Sequence, residues 1–281
     1  MVDCIIIGSG LAGISAALTL QANRKEFLIF GSKALSEKIE KAEKIHNYPG
    51  LPDVSGKVFS EALKAQLESA GIEVKEEKVA GVYALKSGFT VLTQEGKQYE
   101  SRAVILACGV ESVRQIEGEE EFSGRGVSYC ATCDGFLYKD KTIGVVCTTK
   151  RLEHEIGYLA DFAKRVYLVP MYKNVEVRRE NITIIQKMPT KIVGGKRVEQ
   201  LVFPTEEVPV DGVFMLRESV SPAILVGGLH TENGHVVVGR DMSTNLNGLY
   251  AAGDCTGRPY QYTKAAGEGN IAAHSVSEYL R

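Results

Sequence analysis

The sequence has no long apolar run. The longest unbroken one, Ala103–Cys108, falls far short of the roughly 20 residues that cross a bilayer, so no membrane span is expected. The opening, Met1-Val2-Asp3-Cys4-Ile5-Ile6-Ile7-Gly8, lacks the basic segment of a secretory signal, and a cytoplasmic location is the expectation. An excess of one charge is missing too. Lys and Arg number 33 against 35 Asp and Glu, a net charge of −2 with no acidic tail, which excludes the global basic field of a nucleic-acid binder. The histidines, His46, His154, His230, His235 and His274, show no metal-ligand spacing and receive no role. There is no short-period repeat and no low-complexity stretch. With 281 residues, 44% hydrophobic and 24% charged, the chain has ordinary globular composition and room for about two domains.

Cysteine is sparse, with six in all. A chain this long needs no disulfide staples. Cys4, Cys108, Cys147 and Cys255 lie in apolar, strand-like surroundings, where cysteine usually serves as a small buried hydrophobe. Cys130 and Cys133 differ: they are spaced C-x-x-C, and no second such pair exists to complete a zinc site.

What is present begins with a β-α-β pattern. An apolar strand at Val2 to Ile7 runs into Gly8-Ser9-Gly10-Leu11-Ala12-Gly13, a helix, and a second strand at Phe27 to Phe30. Apolar runs flanked by glycine read as a buried parallel sheet. A helix from about 56 to 70, hairpin-like segments and a buried strand at Ala103 to Ala107 complete a first unit. A second unit starts around Val113, with a strand at Thr142 to Val146, a helix over about 151–164 and a strand at Val166 to Val169. The last part returns to the first style, with a strand at Gly248 to Ala252 and a closing helix to Leu280. The expected architecture is α/β: a discontinuous Rossmann-like domain over 1–112 and 212–281, with a smaller domain, 113–211, inserted in it.

Gly8-x-Gly10-x-x-Gly13 follows a strand and opens a helix, the context that gives the motif meaning. The first glycine permits the tight turn, the second lets backbone approach a pyrophosphate, and the third lets helix and strand pack closely. The helix N-terminus adds N–H groups and positive potential. An acidic residue to hold the ribose is missing: Gly31 and Ser32 stand at the end of the second strand. Gly253-Asp254, ending the late strand, can aim a carboxylate at a ribityl hydroxyl. Gly267-x-Gly269-x-x-Ala272, read as standing ahead of the final helix, can place that helix's N-terminus near a flavin ring. In Cys130-Ala131-Thr132-Cys133-Asp134-Gly135, a C-x-x-C at a helix start lowers one thiol pKa, and an adjacent Asp can carry protons to and from a leaving thiolate.

Together with Asn47-Tyr48-Pro49-Gly50, Ala107-Cys108-Gly109 and Tyr250-Ala251-Ala252-Gly253-Asp254, these motifs resemble the low-molecular-weight thioredoxin reductases over nearly the whole chain and in the same order. The resemblance implies bound FAD, a homodimer, and a redox disulfide facing the flavin. It implies that Cys133 is the flavin-proximal thiol, that Cys130 attacks the partner disulfide, and that Asp134 donates the proton. It places FAD on Gly8, Gly10, Leu11, Ala12 and Gly13, on Asn47, Ala107 and Gly109, on Gly253 and Asp254, and beside Tyr260 and Gln261. Tyr260 replaces an arginine usual in the family.

One departure is informative. The family's second glycine-rich turn, which holds NADPH, reads here Cys147-Thr148-Thr149-Lys150-Arg151-Leu152, without a glycine. The His-Arg-Arg cluster for the 2′-phosphate is replaced by Pro170-Met171-Tyr172-Lys173. Each added Cβ stands where a pyrophosphate approaches backbone. This pattern resembles the ferredoxin-dependent flavin thioredoxin reductases, which implies electrons passing from ferredoxin through FAD and the disulfide to thioredoxin. Residues 150–197 hold 11 Lys and Arg against 5 Asp and Glu, a surplus suited to an acidic ferredoxin. Other readings are an NADPH-dependent reductase with a diverged site, a dithiol oxidase passing electrons to O2, and a flavin-bearing redox sensor.

Overall fold

The computed structural model describes residues 1–40, 42–110, 116–217 and 222–281. The expected start of the second unit near Val113 lies outside them. Two units emerge: residues 1–110 with 221–281, and residues 111–220.

The first unit opens with β1 (Val2–Ile7), α1 (Leu11–Ala22), β2 (Phe27–Phe30), the single turn α2 (Glu37–Glu40) and α3 (Gly56–Ser69). Strands β3 (Val74–Lys75), β4 (Val79–Leu85), β5 (Gly88–Thr93) and β6 (Gln98–Leu106) follow. They pair in the order β3-β2-β1-β6-β5-β4, parallel from β3 to β6 and antiparallel beyond. β1 is sealed on both faces, and Cys4, Ile5 and Ile6 have 0% exposure, which is why it reads as one apolar run. β5 lies in the antiparallel part and alternates buried with half-buried residues, the signature of a strand covered on one face. Helix α3 starts where Ser55 caps the N–H of Val58, and it buries Phe59, Leu63 and Leu67 at helical spacing.

The second unit holds β7 (Val127–Ser128), α4 (Ala131–Asp134), β8 (Thr142–Cys147), α5 (Glu153–Phe162), β9 (Arg165–Pro170) and β10 (Ile182–Ile184). An antiparallel β11 (Lys191–Gly194), β12 (Val198–Val202) and β13 (Glu207–Pro209) follow, then β14 (Gly212–Leu216). The main sheet is parallel throughout, in the order β10-β9-β8-β14-β7. The domain boundary expected at 211/212 therefore moves to 220/221. β14 is buried at every position and lies between β8 and β7, so it belongs to the inserted sheet and not to the first unit. Where that sheet ends, the Arg217 guanidinium makes two 2.9 Å hydrogen bonds to the Glu119 carboxylate, and Tyr129 donates to the same group at 3.0 Å. Both partners are buried, and the paired geometry is what makes such charges tolerable away from water.

The chain returns to the first unit with α6 (Pro222–Leu225), the short hairpin β15 (Thr231–Glu232) and β16 (His235–Val236), β17 (Leu249–Ala251) and α7 (Tyr262–Tyr279). β17 adds to β6 in parallel, with Ala251 opposite Leu106. α7 begins at Tyr262, directly after Gln261, so Gly267 and Gly269 lie within the helix, not ahead of it. The expectation that these glycines lead into the last helix and aim its N-terminus at a flavin is corrected. A Cβ on Gly269 would lie 2.1 Å from the carbonyl oxygen of Ala12, so this glycine lets α7 and α1 touch backbone to backbone. Among the described residues no helix is long and apolar enough to cross a membrane, and no cluster of metal-ligating side chains occurs.

Candidate active site

In the first unit β1, β6 and β17 end side by side, because all three run parallel. The loops leaving them share one sheet edge, the usual place for a ligand in such sheets. Gly8 turns the chain at φ +117°, where a Cβ would sit 2.2 Å from the Ala107 carbonyl oxygen. A Cβ on Gly13 would sit 1.9 Å from the Gly8 carbonyl oxygen, so that glycine serves helix–strand contact. Gly10 differs: a Cβ there would meet nothing within 4 Å. It is the N-cap of α1 and offers no side-chain cap, leaving the first-turn amides, those of Leu11 and Ala12 among them, to an anion. A bare helix start facing open space is the cradle a dinucleotide pyrophosphate requires.

The absent acidic residue has a local cause. A Cβ on Gly31 would lie 2.4 Å from the Ser9 hydroxyl, which donates to the Ser32 carbonyl at 2.9 Å. Ser9 thus fills the space a side chain at 31 would need.

Asp254 follows Gly253, whose φ of +88° and close approach to Ala12 exclude a side chain. Two residues of α7 hold this loop. Glu268 accepts the Gly253 N–H at 2.8 Å, while Lys264 donates to the carbonyls of Gly253 and Gly257 at 2.8 and 2.9 Å. The Asp254 carboxylate lies 3.7 Å from the Lys38 ammonium. Sequence reading missed Lys264 and Glu268, although an oppositely charged i,i+4 pair on the helix after the motif was a signal. Asn47 donates to the Gln261 side chain at 2.7 Å, bringing together two expected site residues 214 positions apart. Tyr260 is bonded through its hydroxyl to His235 Nε2 at 2.6 Å, and the Arg258 guanidinium lies 5.6 Å from its ring centre. His235, given no role from sequence, therefore sets the orientation of Tyr260.

The second unit carries the cysteines. Cys130 and Cys133 form a disulfide, and Cys130 caps the single turn α4, its sulfur accepting the Cys133 N–H at 3.1 Å. Asp134 closes that turn and accepts a 2.7 Å hydrogen bond from the Ser128 hydroxyl. The same hydroxyl accepts the Cys130 N–H at 3.2 Å. Ser128 was not anticipated; its one signal was a hydroxyl two residues ahead of the C-x-x-C.

The turn after β8 is closed upon itself. Thr149 caps a 3-10 turn, Lys150–Leu152, which leads into α5. Glu153 and Glu155 occupy the first turn of α5. One oxygen of Glu153 accepts the backbone N–H groups of Glu176 and Val177 at 2.6 and 2.9 Å. Burial, the Cys147 thiol and Glu153 together hold the Tyr172 phenol well above its ordinary range, and burial pushes the Cys147 thiol up to about 11.

A dinucleotide cradle in one unit and a C-x-x-C disulfide in a parallel-sheet insertion define a flavoprotein disulfide reductase. A family model described as pyridine nucleotide-disulphide oxidoreductase matches residues 2–269, and the chain belongs to that family. The chain is 44% identical to the crystal structure of a ferredoxin-flavin thioredoxin reductase from Clostridium acetobutylicum, with a TM-score of 0.89, covering 99% of this chain and 98% of that one. It is 33% identical to the thioredoxin reductase of Helicobacter pylori over 315 residues, covering 100% of this chain and 99% of its relative. A thioredoxin reductase structure from Gloeobacter violaceus aligns with 28% identity and a TM-score of 0.79, covering 99% of this chain and 94% of that one. The chain is an enzyme of the thioredoxin reductase type, and FAD is its cofactor.

Proposed function

We propose that this chain reduces thioredoxin with electrons taken from reduced ferredoxin, without a nicotinamide donor. One observation carries the reading: at the start of α5 the Glu153 carboxylate is held in place by the amides of Glu176 and Val177 from the segment after β9. In a nucleotide-binding unit that helix start receives a phosphate. Here it presents two carboxylates, which repel one. The likeness to a ferredoxin-flavin enzyme supports the same reading.

FAD, held on Gly10, Leu11 and Ala12 with Asp254 at the neighbouring loop, supplies two-electron storage between a one-electron donor and a two-electron acceptor. The rest is thiol chemistry. The Cys130 thiolate attacks the thioredoxin disulfide, giving a mixed disulfide and a departing thiolate that Asp134 protonates. Cys133 then attacks the Cys130 sulfur, closing the C-x-x-C disulfide and releasing dithiol thioredoxin. Over the cycle two reduced ferredoxins and two protons convert one disulfide to two thiols. A ferredoxin near about −400 mV and a thioredoxin near about −270 mV make this favourable by roughly 6 kcal/mol. A homodimer, the assembly implied by the family resemblance, is part of the reading.

Anaerobic mixing tests it. NADPH and NADH are expected to leave the flavin oxidised, while reduced ferredoxin bleaches it and thioredoxin thiols appear. The ferredoxin rate should fall as salt rises, because the surplus of basic residues over 150–197 steers an acidic partner. Rapid, saturable bleaching by NADPH overturns the reading in favour of an NADPH enzyme with a diverged site.

A further inference from the structure

Helix α7 carries an ion pair that faces inward. The Lys264 ammonium lies 3.1 Å from the carboxylate of Glu268, one helical turn on, and 17% and 16% of the two side chains remain exposed. A shielded pair is tolerated where further hydrogen bonds complete it. Here those bonds run to one short segment. Lys264 donates to the carbonyl oxygens of Gly253 and Gly257 at 2.8 and 2.9 Å, and to the Thr256 hydroxyl at 2.9 Å. Three acceptors of the segment thus match the three protons of the ammonium. One oxygen of Glu268 accepts the Gly253 N–H and the Thr256 hydroxyl, both at 2.8 Å.

The segment is a 3-10 turn, Asp254–Thr256, flanked by Gly253 at φ +88° and Gly257 at φ +118°. Glycines in that region leave the chain free to take other paths, so the turn lies where its neighbours hold it. Its own backbone bonds, from Thr256 to Gly253 and from Gly257 to Asp254, both 3.1 Å, give it shape but not position. Cys255 fastens its middle to the strand ends, through the carbonyl oxygens of Leu106 at 3.4 Å and Ala252 at 3.3 Å. Lys264 and Glu268 fasten both of its ends to α7. That helix is in turn strapped to α1. Ser15 donates to the Ala266 carbonyl at 2.6 Å, Asn270 to the Thr19 hydroxyl at 2.9 Å, and Asn23 to the Ser277 hydroxyl at 3.0 Å. One series of contacts therefore runs from the helix that offers the Leu11 and Ala12 amides, through α7, to Asp254.

We infer that Lys264 and Glu268 are positioning residues for FAD, which hold Asp254 at a fixed place relative to the phosphate cradle, so that the cofactor is gripped at two points at once. The amides of α1 take a diphosphate, a group common to every dinucleotide. Asp254, expected at a ribityl hydroxyl, supplies the second grip. Two contacts on one ligand reinforce each other only when their spacing is held. The role of the pair rests on the placement of FAD at Asp254 given under the proposed function, and it is the same for any electron donor.

FAD-loaded protein tests this without turnover. The holoprotein is diluted, and the FAD released with time is measured in the ultrafiltrate. Lys264→Met and Glu268→Leu are each expected to speed release about tenfold or more, the range for losing hydrogen bonds to a charged group. Asp254→Ala should do the same. On top of Asp254→Ala, either α7 replacement should add less than about twofold, because the group it positions is gone. Should a single replacement strand its partner's charge and prevent folding, the protein carrying Lys264→Met together with Glu268→Leu removes both charges and takes its place. Unchanged release from the α7 variants overturns the inference, while faster release from Asp254→Ala alone keeps Asp254 at the cofactor. Full additivity of the α7 replacements with Asp254→Ala also overturns it, since the pair would then act on the fold at large. Unchanged release from Asp254→Ala removes FAD from Asp254, and the inference falls with that placement.

Discussion

Gly269 of α7 touches the main chain of Ala12 in α1 so closely that a single added methyl would lie 2.1 Å from the Ala12 carbonyl oxygen. Ala12 is also in the first turn of the helix whose start faces the cofactor. Gly269→Val is therefore expected to separate the two helices, cost about 1–3 kcal/mol or more by overpacking, and weaken FAD retention. Gly267, two residues earlier, has open space around its missing Cβ. Gly267→Ala should raise stability by up to about 1 kcal/mol through helix propensity and leave FAD bound. Thermal unfolding and the flavin content of the purified proteins check both. Equal effects at the two sites would contradict the packing role of Gly269.

The two cysteines of the C-x-x-C should separate spectrally. Cys130→Ser and Cys133→Ser are each expected to abolish thioredoxin reduction while retaining FAD. If Cys133 is the flavin-proximal thiol, only the Cys130→Ser protein should show a long-wavelength charge-transfer band. A band seen only in Cys133→Ser reverses the assignment. Unchanged turnover in either variant removes this disulfide from the electron path.

Ser128 links Asp134 to the Cys130 backbone, with hydrogen bonds of 2.7 and 3.2 Å. If Asp134 is the proton donor, Asp134→Asn should lower kcat for thioredoxin reduction about 10²-fold or more, the usual range for loss of a positioned acid. Ser128→Ala should lower it less, about tenfold, with KM for thioredoxin little changed, because the acid is present but no longer held. Steady-state kinetics with a saturating electron donor measures both. A Ser128→Ala loss confined to KM would mean that the hydroxyl serves docking instead.

The Glu119–Arg217 pair predicts a large stability effect remote from the chemistry. Each partner is almost wholly removed from water, so Glu119→Gln or Arg217→Met leaves a buried charge without its counter-ion. Either change should cost about 3–5 kcal/mol. The double replacement Glu119→Gln with Arg217→Met should cost less than the sum of the two, because it removes both charges together. Denaturant unfolding of the three variants tests this, and simple additivity would show that the two side chains act independently.

Much of this was legible in the sequence because the information is local. The run Cys4 to Ile7 is apolar at every position, since β1 is covered on both faces there, and Gly8 and Gly13 mark a turn and a close helix–strand approach that a side chain would block. The C-x-x-C spacing alone allowed the Cys130–Cys133 bridge, and the missing glycines between Cys147 and Leu152 set the turn after β8 apart from a glycine-rich one. The span 212–216 was placed in the wrong unit. An apolar strand carries no label for its sheet, and only pairing with β8 and β7 assigns it.

The sequence by itself determined the two glycine-marked strand ends, the C-x-x-C pair and the glycine-free turn after β8, because backbone conformation and thiol spacing are properties of neighbouring residues. Only the tertiary structure decided what depends on distant residues meeting. It turned Gly267-x-Gly269 from a supposed ligand loop into a helix contact, since the obstacle is the backbone of Ala12, some 250 residues away. It explained Gly31 by the hydroxyl of Ser9. It set Ser128 on Asp134, Glu119 on Arg217 and Asn47 on Gln261. Hydrogen bonds and packing contacts act over a few ångströms, and which residues come that close is fixed by the sheet order, which no local pattern encodes.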